Sequence, residues 1–357
     1  MDYLLLIINP GSTSTKVAIF RQEQLLHEQV LKHEARELQA FSSIIDQADF
    51  RKAFILEFLS QKGHRVEDFD VFVARGGILK PLPQGGTYAI NARMLEDLQS
   101  CTYGAHASNL GAILADLMAR PLNRPAYIVD PVCVDEMDDI AKVSGLKGMD
   151  RISVFHVLNQ KAIARKHAKI IGQKYENLNL IVCHLGGGVS VGLHQKGRVV
   201  DVNNALGGDG PFSPERTGTL PTYPLVEMCF SGQYTKEEVK RMLVGQGGLV
   251  SYLGTANGIE IDQRIRHNDQ EAAFYFRAMA YRVAKEIGSL YFAVSGELDG
   301  ILITGGLAHN DLFISHLRSY IDPIFPLHVY PGEDEMRALA LGALRVLAHE
   351  EKAQTYE

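Results

Sequence analysis

Two stretches far apart in this chain share one layout, and that recurrence limits the folds open to it more than any other feature. Near the N-terminus the apolar run Leu4-Leu5-Leu6-Ile7-Ile8 stops at Asn9-Pro10-Gly11, passes through Ser12, Thr13, Ser14 and Thr15 to Lys16, and resumes as Val17-Ala18-Ile19-Phe20. Past the midpoint, Leu180-Ile181-Val182-Cys183 runs into His184-Leu185-Gly186-Gly187-Gly188 and resumes as Val189-Ser190-Val191-Gly192-Leu193. Apolar runs of this length, broken by small residues, read as strands joined by a turn. A third strand succeeds each pair, over Leu25 to Leu31 and over Arg198 to Val202. Two sheets that each open as an antiparallel meander predict an α/β protein made by internal duplication, with little residue identity between its halves. Two coincidental meanders are the alternative.

At 357 residues the chain exceeds what one core usually supports, so two domains of roughly 150 to 200 residues and a cleft between them are expected. The formal net charge of −6, without a basic run or aromatic-basic interleaving, argues against nucleic acid as a partner. Tyr3 to Ile8 is too short for a signal core or a membrane span. Cys101, Cys133, Cys183 and Cys229 are scattered and form no C-x-x-C pair, as suits reduced thiols in a cytoplasmic protein. Disorder is expected only in the tail, Glu350 to Glu357.

Between the two meanders the chain repeats a simple rule: an apolar strand, then a polar residue at its carboxyl end. Phe69 to Ala74 delivers Arg75-Gly76-Gly77, and Ala126 to Val129 delivers Asp130-Pro131. Helical spacing appears over Phe50 to Leu59, Ala92 to Gln99, Asn109 to Met118 and Val154 to Ala168. In the second half a helix near Lys236 to Leu243 precedes a long one, Gln270 to Val294, with Phe276, Met279, Ala280, Val283, Ile287 and Leu290 on one face. Gly300 to Leu307 reads as a buried strand ending in Gly305-Gly306, with Asn310 capping the next helix. The strand Leu327 to Tyr330 leads to a final helix, Asp334 to His349, whose acidic first turn either satisfies the helix dipole or holds a cation.

The first turn has the chemistry of an anion site. Small hydroxylated residues let backbone N–H groups approach closely, and hydroxyl donors and Lys16 add hydrogen bonds and charge, so a phosphate would suit it. An ordinary Ser/Thr-rich hairpin turn is the competing reading. It is not a P-loop: G-x-x-x-x-G-K-[ST] is absent, and the residues after Lys16 run as a strand instead of opening a helix.

Three separated blocks, Asn9 to Lys16, His184 to Gly188 and Ile303 to Gly306, together resemble the two phosphate motifs and the adenosine motif of the acetate kinase, sugar kinase, heat-shock chaperone and actin superfamily. Within it the chain is similar to the acetate and butyrate kinases over nearly its whole length. Arg75-Gly76-Gly77-Ile78-Leu79-Lys80-Pro81, Gly208 to Arg216 and Gly332 to Arg337 favour the butyrate kinase branch. The resemblance implies two duplicated actin-like (ribonuclease H-like) domains with a nucleotide cleft between them. They would span residues 1–150, with a C-terminal helix of about 335–357 packing back, and 151–334, which would hold the nucleotide. It implies ATP/ADP and Mg²⁺ as cofactors, butyrate or a similar short-chain carboxylate and its acyl phosphate as substrates, and a homodimer or higher homo-oligomer.

On the same ground Asn9, Asp130, Asp334 and Glu335 would surround Mg²⁺, and Ser12, Ser14 and Lys16 would border the transferred phosphoryl group. Gly186, Gly187, Gly188, Gly305, Gly306 and Asn310 would meet the nucleotide. Arg216, Arg75, His184, His156 and Asp130 would form the catalytic set. Gly187 stands where acetate kinases carry Asn, and Arg75 matches their first arginine in role but not in register. A carboxylate acceptor is already ionised near neutrality, so it needs no general base, only neutralisation of the approaching anions by arginine and Mg²⁺. Plainer roles compete at each position: surface ion pairs for the arginines, a capping or satisfied histidine at His156, a turn former at Asp130, a helix cap at Asp334 or Glu335. Val132, Val134 and Phe212 are candidates for an alkyl pocket. A sugar kinase, which would need a carboxylate base, and an actin-like ATPase switch are the rival classes.

Overall fold

The structure, a computed structural model, describes residues 2–357. It divides into two compact units, Met1–Val134 with Asp334–Glu357, and Asp135–Glu333. No helix among the described residues is long and apolar enough to cross a membrane.

The first unit is built on β1 (Leu4–Pro10), β2 (Ser14–Arg21), β3 (Gln24–Lys32), β4 (Val71–Arg75), β5 (Thr87–Ala89) and β6 (Ala126–Val129), joined by a short C-terminal strand, Gln354–Thr355. Their order is C-terminal strand–β5–β6–β4–β1–β2–β3. β1 is antiparallel to β2 and β2 to β3, whereas β1, β4 and β6 run parallel. All seven residues of β1 are buried, as a strand covered on both faces requires. The covering helices include Ala48–Gln61, Asn109–Ala119 and Glu335–Leu347.

The second unit repeats the plan. It contains β7 (Asn179–Leu185), β8 (Val189–Gln195), β9 (Arg198–Val202), β10 (Gly300–Gly305) and β11 (Leu327–Pro331), in the order β11–β10–β7–β8–β9. β7, β8 and β9 form the antiparallel meander, and β7, β10 and β11 run parallel. Position for position this matches β6–β4–β1–β2–β3, so the duplication expected from the two meanders is present in topology. The core is closed by the 24-residue helix Gln270–Ala293. Its buried side chains are Ala272, Phe276, Met279, Ala280, Val283, Ile287 and Leu290, the predicted apolar face with Ala272 added one turn earlier. Asp269 caps it, accepting the Ala272 N–H at 3.0 Å.

Several local expectations are corrected. The tail is ordered: Gln354–Thr355 pairs in parallel with β5. Tyr356 is 2% exposed, and its hydroxyl donates to Asp97 Oδ2 at 2.7 Å while its carbonyl accepts from Asn91 Nδ2 at 2.7 Å. One large ring with somewhere to bury is enough to order a short polar segment. The helix expected from Val154 begins at Val157, with His156 as its N-cap residue. The final helix begins at Glu335 because Asp334 Oδ1 accepts the Arg337 N–H at 3.2 Å.

Replacing Tyr356 by Ala should empty this pocket and lower unfolding stability by about 3 kcal/mol or more, read from urea midpoints. Tyr356→Phe, which keeps the ring and leaves Asp97 one donor short, should lose about 1 to 2 kcal/mol.

Candidate active site

Parallel register decides which polar residues meet in the first unit. Ile8 pairs with Ala74 and Arg75 with Val129, so Asn9, Arg75 and Asp130 end three adjacent strands along one sheet edge. That is where open α/β sheets carry their ligands. Asn9 Nδ2 donates to Glu335 Oε2 at 2.7 Å, and Arg75 Nη1 lies 2.8 Å from Glu335 Oε1. Both partners of the Arg75–Glu335 pair are partly exposed, so it contributes about 1 kcal/mol or less and can be exchanged for another anion. Asp130 is buried at φ 41° and accepts the Gly86 N–H at 2.7 Å. A non-glycine residue in that region is backbone strain concentrated at one site.

The adjoining turn is held from beneath by a residue that no sequence motif marks. Arg51, on the helix Ala48–Gln61, is 0% exposed. Its guanidinium donates to the carbonyls of Gly11 (2.8 Å), Ser12 (3.0 Å) and Ser14 (2.9 Å), to Thr15 Oγ1 (3.2 Å), and twice to Gln47 Oε1 (3.1 and 2.9 Å). All these acceptors are neutral, and burial lowers the Arg51 pKa to about 10. His33 Nε2 lies 2.9 Å from Thr15 Oγ1. Burial, with Arg51 nearby, pushes the His33 pKa down to about 4. Lys16 is turned along the sheet to Glu28 at 3.0 Å, while Ser12 is exposed and Ser14 half-buried.

In the second unit Thr304 pairs with both His184 and Tyr330 in parallel register, which brings His184, Gly305 and the turn after β11 to the corresponding edge. His184 Nδ1 faces Asn159 Oδ1 at 2.8 Å, and its Nε2 faces Glu333 Oε1 at 3.0 Å. The His156 ring stacks on it at 3.7 Å and 11°, with its own Nδ1 2.9 Å from Ser190 Oγ. His156 is thus both an N-cap residue and part of the polar cluster. Burial lowers the Arg216 pKa, its Nη1 donates to the Ala205 carbonyl, and its Nε is buried without a partner among the described residues. A buried donor left unpaired is costly.

Glycine at 188 is what lets the guanidinium lie on the turn, since a Cβ there would collide with Arg216 Nη1. The two glycines after β10 differ in kind. Gly305 has φ +91° and a Cβ would collide with the Leu185 carbonyl oxygen, whereas at Gly306 it would meet nothing within 4 Å. Packing therefore demands the first glycine and leaves the second facing open space. Asn310 caps the helix Asp311–Ile321, accepting the Phe313 N–H at 2.8 Å. Gly186 donates its N–H to the Gly188 carbonyl at 3.0 Å, and the Gly187 carbonyl accepts from Ser213 Oγ at 2.6 Å. Val134 is sealed in its core and Phe212 is partly exposed against Tyr252.

As a magnesium set, Asn9, Asp130 and Glu335 offer the hard oxygen donors that the ion prefers, and N–H donors orient both carboxylates. Asp334 is occupied as a helix cap. Among the described residues no three His, Cys, Asp or Glu side chains converge into a metal cage. Magnesium commonly takes one or two carboxylates, with phosphate oxygens and waters completing its shell. The residues present therefore fit that role.

Residues 142–322 match the family described as Acetate_kinase, the acetokinase family. Among solved structures the chain is similar to the acetate kinase of Porphyromonas gingivalis, at 16% identity and TM-score 0.79 over 97% of this chain and 100% of that one. It is similar to a propionate kinase of Francisella tularensis subsp. tularensis, at 19% identity and TM-score 0.74 over 95% and 98%. The Entamoeba histolytica acetate kinase gives 17% identity and TM-score 0.74 over 96% and 99%. The actin-like α/β fold expected from the sequence is the fold that these kinases share.

Gly306→Ala should leave the urea midpoint unchanged, whereas Gly188→Ala, which displaces Arg216 from the Ala205 carbonyl, should lower it; urea titration of the two variants beside wild type checks this. Acidification should also destabilise the first unit through His33. Between the ordinary value of 6.5 and about 4, the unfolded chain holds a proton there that the native chain lacks. Stability is then lost as pH falls, by up to about 1.4 kcal/mol per pH unit. His33→Gln should flatten that slope in urea titrations taken at a series of pH values.

Proposed function

Because the chain belongs to the acetokinase family, we propose that it transfers a phosphoryl group reversibly between ATP and a short-chain fatty acid, with butyrate as the preferred acceptor, giving butanoyl phosphate and ADP. The observation that carries this reading is Arg216: a half-buried cation laid on the glycine turn, whose Nε has no partner among the described residues. Such a group suits the equatorial oxygens of a phosphoryl group in transfer, where charge develops and water is scarce.

The acceptor carboxylate, with a pKa of roughly 4 to 5 by analogy with side-chain carboxyls, is ionised before it binds. No residue has to remove a proton from it. Arg75 is suited to receive that carboxylate by exchanging it for Glu335, at a cost of about 1 kcal/mol or less. His184, oriented by Asn159 at Nδ1, would reach a phosphoryl oxygen through Nε2 by exchanging Glu333 for it, and the His156 ring stacks on it. Ser12 and the N–H groups of its turn border the transferred group. Asn9, Asp130 and Glu335 would hold Mg²⁺, which when bound neutralises charge on the phosphate oxygens. The preference for butyrate rests on the blocks Arg75 to Pro81, Gly208 to Arg216 and Gly332 to Arg337. One methylene in an apolar pocket discriminates by only about 1 to 3 kcal/mol, so propionate and branched acids should be poorer substrates, not excluded ones.

Incubation with Mg-ATP and butyrate, isobutyrate, propionate, acetate, glycerol or no acceptor, with acyl phosphate trapped by hydroxylamine, tests the reading. Hydroxamate is expected with the acids, most with butyrate, and none with glycerol. ADP release with glycerol alone, or without any acceptor, would instead point to an alcohol kinase or an ATPase. Arg216→Ala should lower kcat by about 100-fold or more with the urea midpoint little changed.

A further inference from the structure

Arg51 is the one fully buried guanidinium among the described residues, and it has no part in the phosphoryl transfer described above. We propose that Arg51 is the positioning residue of the first phosphate turn: it draws the turn's carbonyls inward so that the turn's N–H groups face outward toward a polyphosphate, and it places an uncompensated positive charge beneath them. The inference rests on the reading of this turn as the phosphate site and adds the device that builds it.

The geometry comes from peptide planarity. No peptide among the described residues is cis, and in a trans peptide the C=O and the next residue's N–H point in opposite directions. The Gly11 and Ser12 carbonyls both accept from Arg51, at 2.8 and 3.0 Å. The N–H groups of Ser12 and Thr13 are therefore directed away from Arg51, and these two residues are the exposed ones of the turn. The Gly11 N–H closes the turn on the Ser14 carbonyl at 2.8 Å, and that carbonyl also accepts from Arg51. Two adjacent outward N–H groups with hydroxyls beside them make an anion-binding concavity.

Charge acts in the same direction as geometry. Every hydrogen bond that Arg51 makes goes to a neutral oxygen, and desolvation without an offsetting carboxylate is what lowers its pKa to about 10. A buried charge without a counter-ion is a standing cost. An anion seated on the outer face of the turn relieves that cost through a single layer of backbone. Lysine is no substitute, because a single ammonium cannot reproduce the fork that reaches three carbonyls and Gln47 at once.

The test uses the full-length chain and inorganic pyrophosphate as probe. Pyrophosphate should raise the melting temperature of wild type. In Arg51→Lys that rise should largely vanish, and the KM for ATP should increase about tenfold or more while the KM for butyrate stays within about twofold, a split that a loss of global structure would not produce. Should Arg51→Lys fail to fold, Gln47→Leu frees two of the six guanidinium bonds and should give a smaller change of the same pattern. A folded Arg51→Lys or Gln47→Leu with wild-type ATP KM and wild-type pyrophosphate shift overturns the inference. The outcomes separate from those of the proposed reaction. An Arg51-dependent pyrophosphate shift in a protein that makes no hydroxamate would sink the reaction and keep the inference. Hydroxamate formation indifferent to Arg51 would do the reverse.

Discussion

Burial of β1 and β7 on both faces is the constraint on which the rest of the structure depends. Every residue of both strands is buried, and each large aliphatic side chain placed there contributes about 1.5 to 3 kcal/mol. An unpartnered polar group in the same run would cost about as much or more. Polar residues are therefore pushed to the strand ends, and they survive there only with partners. Asn9 has Glu335, and His184 has Asn159 and Glu333. Because the neighbouring strands are parallel, their ends coincide, and polar residues far apart in sequence meet at one sheet edge in each unit.

At those edges the two units carry cations of an unusual kind. Arg51 is fully buried and Arg216 half-buried, and among the described residues neither forms an ion pair with a carboxylate, although Glu215 lies near Arg216. Arg151 shows the ordinary arrangement for comparison, flanked by Asp201 at 2.8 Å and Asp209 at 3.4 Å. The contrast is informative because a lone buried charge is destabilising in the free protein. Its retention makes physical sense where a bound anion completes the balance. The partly exposed Arg75–Glu335 pair differs from Arg51 and Arg216, since its two charges already balance.

Much of this was legible in the sequence, and the limits of that reading have particular causes. Long apolar runs located the central strands, and the spacing over Phe276 to Leu290 located the buried helix face, because both are local consequences of burial. The Asn310 cap was legible for the same reason. Thr87–Ala89 and Gln354–Thr355 were missed because each is short, and the second is a strand only by pairing with the first. Arg51 lies on a helix whose nearby signal is Phe50, Phe54 and Phe58, and nothing local distinguishes it from a solvated arginine. The separate fates of Glu333, Asp334 and Glu335, as histidine partner, helix cap and arginine partner, were equally hidden, since three acidic residues in a row look alike until their neighbours are known.

By itself the sequence determined that the chain would form two related α/β sheets, where their central strands end, and which small-residue turns come after them. Periodicity and turn chemistry act over a few residues and are written in the order of the chain. Only the tertiary structure decided that Arg51 lies beneath the first turn, that Arg216 rests on Gly188, and that Glu335 joins Asn9 to Arg75. Those contacts span tens to hundreds of positions, and they exist because parallel register and core packing, which no local pattern encodes, bring the strand ends together.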